Sequence, residues 1–494
     1  MPAQILSELE KHRLSNPPAP SDPTEAARWD HTRLRRRLLD GAWAEDLRNR
    51  LQAHLGTVRR EALGFLDMSS NPFRVICREL SALYLEPPDV HHELDTTGEV
   101  ARVLLDSGLW SQQSRFQSWV IGCREYVHRI HVSQDGSVHF RPIPPDMITA
   151  EADPDKPHQP IVLRHLRPRV VPETGQELWA WDVLDISDPE NPLYQVQLVE
   201  QTDAGEQTTD LSEVFLGGSQ SGEAYPYRWS DGTPFIPAVL YHASRMGDRI
   251  WDTFEGVELV EGSLNLAVGN SFTFHCFKQA AHPQRWVMGC APAGLGTEGG
   301  TEGNVDAARS AMVVDPTLVL ALDRTEDFDG QPQVGQWSPA AQLDVMEATC
   351  SALASRLAVD AGVPMSDAQR QGGTARSGYA ISLTNENKRQ SARRFAGQFR
   401  PSDQELIGKT AALLNRFTGT NHPEHGWSVV YREVPLSPEE LRSRRENVLE
   451  LLREGLMSAT TAYQTLNPGT SREQAQEALQ IAARSRALFN MTSP

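Results

Sequence analysis

Between Arg249 and Leu357 the chain carries two amphipathic helical patterns separated by about sixty residues of acidic, glycine-rich sequence. In the first, Ile250, Phe254, Val257, Leu264, Val268 and Phe272 recur at steps of three, four or seven, which is one apolar stripe of a helix. Asp252, Glu255, Glu258 and Glu261 step by three along the same pattern and predict a second, acidic stripe that winds slowly around the helix. The second pattern opens at Ser338-Pro339, a cap residue followed by proline at the first helical position. It continues with Leu343, Met346, Cys350, Leu353 and Leu357, and Gly362 and Pro364 stop it. Two rods of this kind predict an antiparallel helix pair with a small folded insert at its tip. The insert includes a strand-pair signal around residues 312–322. Its acids between 296 and 338 are Glu298, Glu302, Asp306, Asp315, Asp323, Glu326, Asp327 and Asp329, opposed by Arg309 and Arg324.

A chain of 494 residues is too long for one core and predicts several packed parts. Its hydrophobic share of 39% and mean hydropathy of −0.45 are polar for that length. Such a chain has surface-rich parts or buries apolar area against other copies. A net charge of −18 argues against wholesale neutralisation of nucleic-acid phosphates, although DNA can still pass beside it. Five scattered cysteines, Cys77, Cys123, Cys276, Cys290 and Cys350, have no metal-type spacing and read as buried thiols of a reducing compartment. No window approaches the ~18 apolar residues of a membrane span, and the first residues lack the apolar core of a signal peptide. The expectation is a soluble protein with no membrane partner.

Taken in order, residues 1–22 read as a short polar helix and a proline-rich joint. From Thr24 to about Leu63 the pattern is helical and charged, and the cluster Arg33, Arg35, Arg36 and Arg37 reads as a solvated helix face. Asn71-Pro72 starts a helix with Phe73, Ile76, Leu80 and Leu83 on one side. From about Trp119 the period becomes two: Glu125–Val132, an Asp135-Gly136 turn and Ser137–Ile143 signal a hairpin, and further strands run to about Val199. Residues 201–234 read as a long exposed loop. A long helix from Ser377 to about Phe417 has no apolar stripe in its middle, and Pro401 predicts a kink or loop. Helices capped at Ser437, Ser458 and Thr470 (with Glu473) form a C-terminal bundle. The fold class is α+β.

Chemical motifs are sparse. Gly294, Gly296 and Gly299 fit GxGxxG, but Glu298 and Glu302 would repel a pyrophosphate and no βαβ repeat surrounds them. There is no GxxxxGK[ST], HExxH or GxSxG, and no Cys/His ligand set. The acidic clusters fall in loops without the strand-borne carboxylates of a two-metal nuclease. No catalytic residue, metal or cofactor is expected.

Several stretches, in this order, resemble the portal proteins of tailed double-stranded DNA bacteriophages and related gene-transfer particles. Asn71–Pro88 is similar to the family's N-terminal helix. Ile121–Gly136 followed by Arg141–Ile148 resembles its strand pair and proline-aspartate turn. Ile236–Tyr241 and the following helix resemble its stem. Ser377-Gly378-Tyr379-Ala380 matches the opening of its tunnel-lining helix, and Glu454–Leu479 is similar to its crown. Asn467-Pro468-Gly469 departs from the aspartate usual in the turn before the last helix, and the insert is unusually rich in glycine. The resemblance spans about residues 70–490 and implies a non-enzymatic ring of about twelve subunits at one capsid vertex of a virion made in the host cytoplasm. Double-stranded DNA enters and leaves through the ring. The implied partners are further copies of the chain, the major capsid and scaffolding proteins, the large terminase subunit and a head-tail adaptor.

The parts implied are a wing over 1–245, stem helix 1 over 246–280, a clip over 281–338, stem helix 2 over 339–362, a wing return with the tunnel helix over 363–436 and a crown over 437–494. Within them Lys388, Arg389, Arg393 and Arg394 are the expected DNA-channel contacts. Asp252, Glu255, Glu258, Glu261, Glu298, Glu302, Glu326, Asp327 and Asp329 are the expected acidic stem and clip faces that repel the duplex. Another ring-forming neck component of a phage particle and a metal-dependent nuclease are the competing readings.

Overall fold

A computed structural model describes residues 20–55, 66–95, 97–133, 135–170, 177–202, 205–245, 249–252, 255–281, 284–288, 290–292, 322–324, 331, 333–337, 342–363, 378–432, 438–467 and 470–492. Helices α1 (Pro23–Asp40), α2 (Ala44–Leu55) and α3 (Pro72–Leu80) precede strand β1 (Asp89–His91) and helices α4 (Glu99–Asp106) and α5 (Leu109–Cys123). Strands β2 (Glu125–Val132), β3 (Val138–Ile143), β4 (Ile148–Asp153), β5 (Lys156–Val170), β6 (Glu177–Asp185), β7 (Leu193–Thr202) and β8 (Gly205–Asp210) follow. Next come the short helix α6 (Ser212–Leu216) and strands β9 (Gln220–Ser221) and β10 (Ala238–His242). The long helix α7 (Val257–Ala281), strands β11 (Gln284–Met288), β12 (Cys290–Pro292), β13 (Leu322–Arg324) and β14 (Gln333–Trp337), and helix α8 (Leu343–Asp360) occupy the region of the helix pair. Helix α9 (Gly378–Thr418), strand β15 (Ser428–Val430) and helices α10 (Pro438–Arg453), α11 (Ala459–Leu466) and α12 (Arg472–Thr492) complete an α+β chain. It divides into two compact units: one from residues up to 39, 74–255 and 362 onward, the other from 40–73 and 256–361.

The first unit is built on two antiparallel sheets. Gly136, at φ +80, makes the turn that Asp135-Gly136 signals, and β2 pairs with β3 on one side and β10 on the other. The second sheet runs β4-β5-β6-β7-β8, with β9 also on β7. Alternation along β5 puts Leu163, His165, Arg167 and Arg169 on one face and Val162, Arg164 and Leu166 on the other. One apolar cluster joins Leu163, Leu184 and Tyr194 of the second sheet to Val127, Ile143 and Leu240 of the first. A second cluster sets Trp29 of α1 against Leu166, Trp181 and Val183. The large sheet is therefore packed on both faces.

Three expectations change in this unit. Residues 201–234 are not one exposed loop, because β8 pairs with β7 from Gln197 to Thr202 and Tyr225 is buried with its hydroxyl donating to the Phe235 carbonyl at 2.9 Å. The arginines of α1 are not a solvated face. Arg35 is buried and donates to the Gly122 and Glu255 carbonyls, while Arg36 and Arg33 lie 2.8 and 3.7 Å from the buried Asp146 of the proline-aspartate turn. Periodicity could not show this, since the partner lies more than a hundred residues on. Pro401 opens no loop in α9, which is one 41-residue helix with the proline inside. Side chains next to it fasten the helix: Ser402 Oγ accepts from Arg245 at 2.6 Å, and Asp403 takes three phenol hydroxyls.

The second unit is the helix pair. α7 packs on α8 and on α2, and β11 pairs with β14 where the two helices end, so the hairpin continues as a ladder. β12 pairs with β13. The first helix starts later than its apolar stripe predicts, because Gly256 adopts φ +73 and α7 begins at Val257. Ile250 accordingly belongs to the apolar cluster of the first unit. α8 ends as predicted, with Gly362 at φ +75 two residues beyond Asp360. Its expected start at Ser338-Pro339 lies outside the described residues. In the C-terminal bundle Ser458 caps α11 by accepting from the Thr461 amide at 3.1 Å. The box expected at Thr470 and Glu473 sits one residue later: Ser471 Oγ accepts from the Gln474 amide while Gln474 Oε1 accepts from the Ser471 amide.

Candidate functional site

The α7–α8 contact is set by small residues. A Cβ added at Gly262 would run into the Leu357 side chain, and one at Gly269 would come within 3.1 Å of Cys350 Sγ. Each pair is one heptad from the next on both helices and the numbers run in opposite senses, so the helices are antiparallel with glycine facing a larger residue. The stripe read at Leu343, Met346, Cys350, Leu353 and Leu357 is the face of α8 withdrawn from solvent. Other apolar side chains of the pair remain outside: Phe274, Phe277, Val345 and Val359 are exposed.

The four acids expected on one helix do not share one. Asp252 and Glu255 precede Gly256, where the left-handed backbone interrupts the pattern, and only Glu258 and Glu261 lie on α7. The Asp252 backbone amide donates to Glu125, and burial, then the neighbouring Glu255, raises the Asp252 carboxyl above its usual range. Glu255 pairs with Arg124, Glu261 pairs with Arg50, and Glu258 is exposed. Glu298, Glu302, Glu326, Asp327 and Asp329 lie outside the described residues.

The four expected cationic contacts lie on α9 in unequal settings. Arg389 is buried, forking onto Glu440 at 2.8 and 3.0 Å with Glu386 at 3.3 Å. Lys388 pairs with Glu79 at 3.1 Å. Arg393 is exposed, with Glu386 4.0 Å away, and Arg394 is exposed with its guanidinium 5.7 Å from the Phe395 ring.

Two polar centres of the first unit were not singled out from the sequence. Asp403 of α9 is fully buried and accepts from Tyr84 (2.7 Å), Tyr431 (2.6 Å) and Tyr241 (2.8 Å), phenols from three separate segments. Burial pushes its carboxyl up to about 6, against the opposing effect of the three hydroxyls. At the edge of the apolar cluster between the two sheets, Asp182 of β6 is fully buried among three guanidiniums. Arg129 approaches it at 2.7 Å, Arg167 at 3.0 Å, and Arg169 also pairs with it. Burial alone would raise the Asp182 carboxyl, but Arg129, Arg167 and Arg169 together pull it below its usual range. The alternation of His165, Arg167 and Arg169 in β5 was the available signal, since it puts three basic groups on one strand face.

Among the described residues no group of three His, Cys, Asp or Glu side chains is placed to hold a metal ion, and no helix is long and apolar enough to cross a membrane. No protein-family profile and no curated protein matches the chain. Among solved structures it is similar to a chain of the virion of a native gene transfer agent particle, at 12% identity and a TM-score of 0.39, over 82% of this chain and 91% of that one. It is also similar to a chain from the neck of an empty gene transfer agent particle, at 12% identity and a TM-score of 0.41, over 82% and 92% of the two chains.

Proposed function

We propose that this chain is the portal subunit of a DNA-packaging particle: it forms a ring at one capsid vertex through which double-stranded DNA is packaged and ejected, and on which a packaging motor and neck proteins dock. The observation that carries this reading is the second unit. A helical hairpin in fixed glycine-against-large register, prolonged by a β ladder and bearing an acidic insert, interrupts a chain that resumes with one 41-residue helix and a C-terminal helical bundle. That order of parts follows the order of portal-like stretches in the sequence. Phe274, Phe277, Val345 and Val359, exposed on the hairpin of a polar and acidic chain, suit burial against neighbouring copies. In this role the exposed Arg393 and Arg394 of α9 offer a few phosphate contacts at one level of the conduit, and the acidic insert keeps the duplex off the wall. A conduit needs such weak, local grip, because a protein that neutralises six to ten phosphates loses ~10³ to 10⁵ in affinity over a modest rise in salt and holds DNA tightly below it.

Negative-stain images and mass photometry of the purified chain test the reading. A closed ring with a central hole is expected, and a monomer at high concentration overturns it. Replacing both Arg393 and Arg394 by Ala is expected to leave the ring intact and lower DNA retention in assembled particles; unchanged retention would remove those two residues from the account.

A further inference from the structure

The grouping around Asp182 holds more positive charge than its architecture requires. One guanidinium neutralises Asp182, yet Arg129, Arg167 and Arg169 all converge on it, and Arg169 also lies over the Phe215 ring at 4.8 Å. The excess continues across the neighbouring hairpin. In the β2–β3 register Arg129 stands opposite Arg141 and His131 opposite His139, and directly opposed residues share a sheet face. Like charges directly opposite, as at Arg129 and Arg141, destabilise a sheet, while burial, then Arg129, lowers the His131 pKa and disfavours its charged form. His165, on the same face of β5, is buried, with no hydrogen-bond partner at Nδ1 among the described residues. Burial, then Arg129, keeps it neutral by holding its pKa well below the ordinary range. Glu151 does not relieve the excess, because it is taken by Arg164, whose place in the alternation is the opposite face. Arg167 is about a quarter exposed, and its ion pair with Asp182 runs through Nε, so the fork of its two terminal nitrogens has donors to spare. Arg141, His131 and His139 are exposed.

We propose that this face, where Arg141, His131 and His139 are exposed and Arg167 is part-exposed beside the mostly buried Arg129 and Arg169 and the buried Asp182, binds the phosphodiester backbone of duplex DNA. The inference rests on the portal reading in that it takes the duplex as the polyanion at hand. A cluster of guanidiniums from β2, β3 and β5 suits a polyanion, and duplex DNA presents one negative charge per ~1.7 Å of its axis. Guanidinium forks match phosphate oxygens geometrically, and a chain carrying −18 has a use for one face of reversed sign if it is to touch DNA outside the α9 contacts. Asp182 is the internal counterion that holds the forks in place. The exposed ends are the ones available to phosphate.

The test uses the full-length protein and a short fluorescent duplex, with binding followed by anisotropy between ~50 and ~200 mM salt. Arg167→Gln leaves Asp182 paired with Arg129 and Arg169, and Arg141→Gln changes an exposed side chain; thermal melts establish that both fold. Each is expected to weaken binding about three- to tenfold and to reduce the slope of log affinity against log salt by about one, whatever the DNA sequence. Unchanged affinity and slope in both variants would overturn the proposal. So would displacement of the duplex by polyglutamate at lower total charge than by unlabelled duplex, which would assign the face to an acidic protein segment. If Arg167→Gln fails to fold, Arg141→Gln with His131→Gln decides by the same criteria. Ring formation is scored separately on the same preparations. A ring whose variants bind DNA as the parent does removes this inference alone, whereas charge-dependent binding by a chain that forms no ring removes the portal reading alone.

Discussion

Glu125 and Asp403 are both buried carboxyls raised above their ordinary range, yet they answer substitution in opposite ways. Glu125 is pushed by burial from an ordinary 4.5 up to about 8 and accepts from the Asp252 backbone amide. Between those two pH values the folded chain keeps a proton that the unfolded chain releases. Its contribution to stability is therefore complete below 4.5 and is lost as pH rises through about 8. Glu125→Gln keeps an acceptor and removes the titration, so the unfolding free energy from denaturant titrations at pH 5 to pH 9 should lose a pH dependence on the order of a few kcal/mol across the window. An unaltered pH profile would show that Glu125 titrates normally. Asp403 has the same sign over a lower window, from 3.8 to about 6. Here both oxygens are engaged by three hydroxyl donors, so Asp403→Asn turns an NH2 group toward phenols that need an acceptor. The expected cost is about 2 to 4 kcal/mol in urea unfolding at neutral pH, and a loss within experimental error would mean that the three hydroxyls find other acceptors. None of this was visible in the sequence, because Tyr84, Tyr241 and Tyr431 meet Asp403 from segments up to 319 residues away. The same holds for Arg33, Arg35 and Arg36, whose charge suggested solvent until Asp146 and two carbonyls supplied partners.

Helices and hairpins were more legible, since their signals are local. The heptad spacing of Leu343, Cys350 and Leu357 marks the packed face of α8, and Asp135-Gly136 marks the β2–β3 turn. What the spacing could not give was the start of α7, because the apolar steps run on through Gly256, whose left-handed φ ends the pattern without changing the period. Of the kink or loop expected at Pro401 the loop does not form: a proline costs a helix one hydrogen bond and a clash, but anchors at Ser402 and Asp403 hold α9 together across it. The glycines of α9 separate propensity from packing within one element. Gly397 has open space where a Cβ would go, whereas at Gly408 a Cβ would press on the Glu424 carbonyl of the backbone. Gly397→Ala should stabilise the protein by about 0.5 to 1 kcal/mol. Gly408→Ala should cost about 1 to 3 kcal/mol, because a backbone oxygen cannot rotate away. Paired thermal melts check this, and equal shifts in the two variants would refute the close approach at Gly408.

At the scale of the whole molecule, the α+β class and the division of labour between a sheet-bearing unit and a helical hairpin follow from the order of patterns along the chain. The basic face around Asp182 was hidden because its cations come from β2, β3 and β5 and its acid from β6, so no single strand shows the grouping. If copies of the chain cover the hairpin, a charge placed there should block assembly without unfolding the subunit. Phe277→Glu changes a side chain that is 57% exposed. Sedimentation velocity should show the concentration for assembly rising at least about tenfold, since burying an unpaired carboxylate costs well over the 1.4 kcal/mol that a factor of ten represents. A variant that assembles like the parent would place Phe277 outside any contact between copies.

The glycine steps on α7 also bear on how the hairpin handles force. With Leu357 against Gly262 and Cys350 against Gly269, both knobs would have to lift together before one rod could slip past the other, and the next equivalent seat is seven residues away, about 10 Å along the axis. A thrust applied to either helix is thus handed to its mate, and the two behave as a single strut that resists shear along its length.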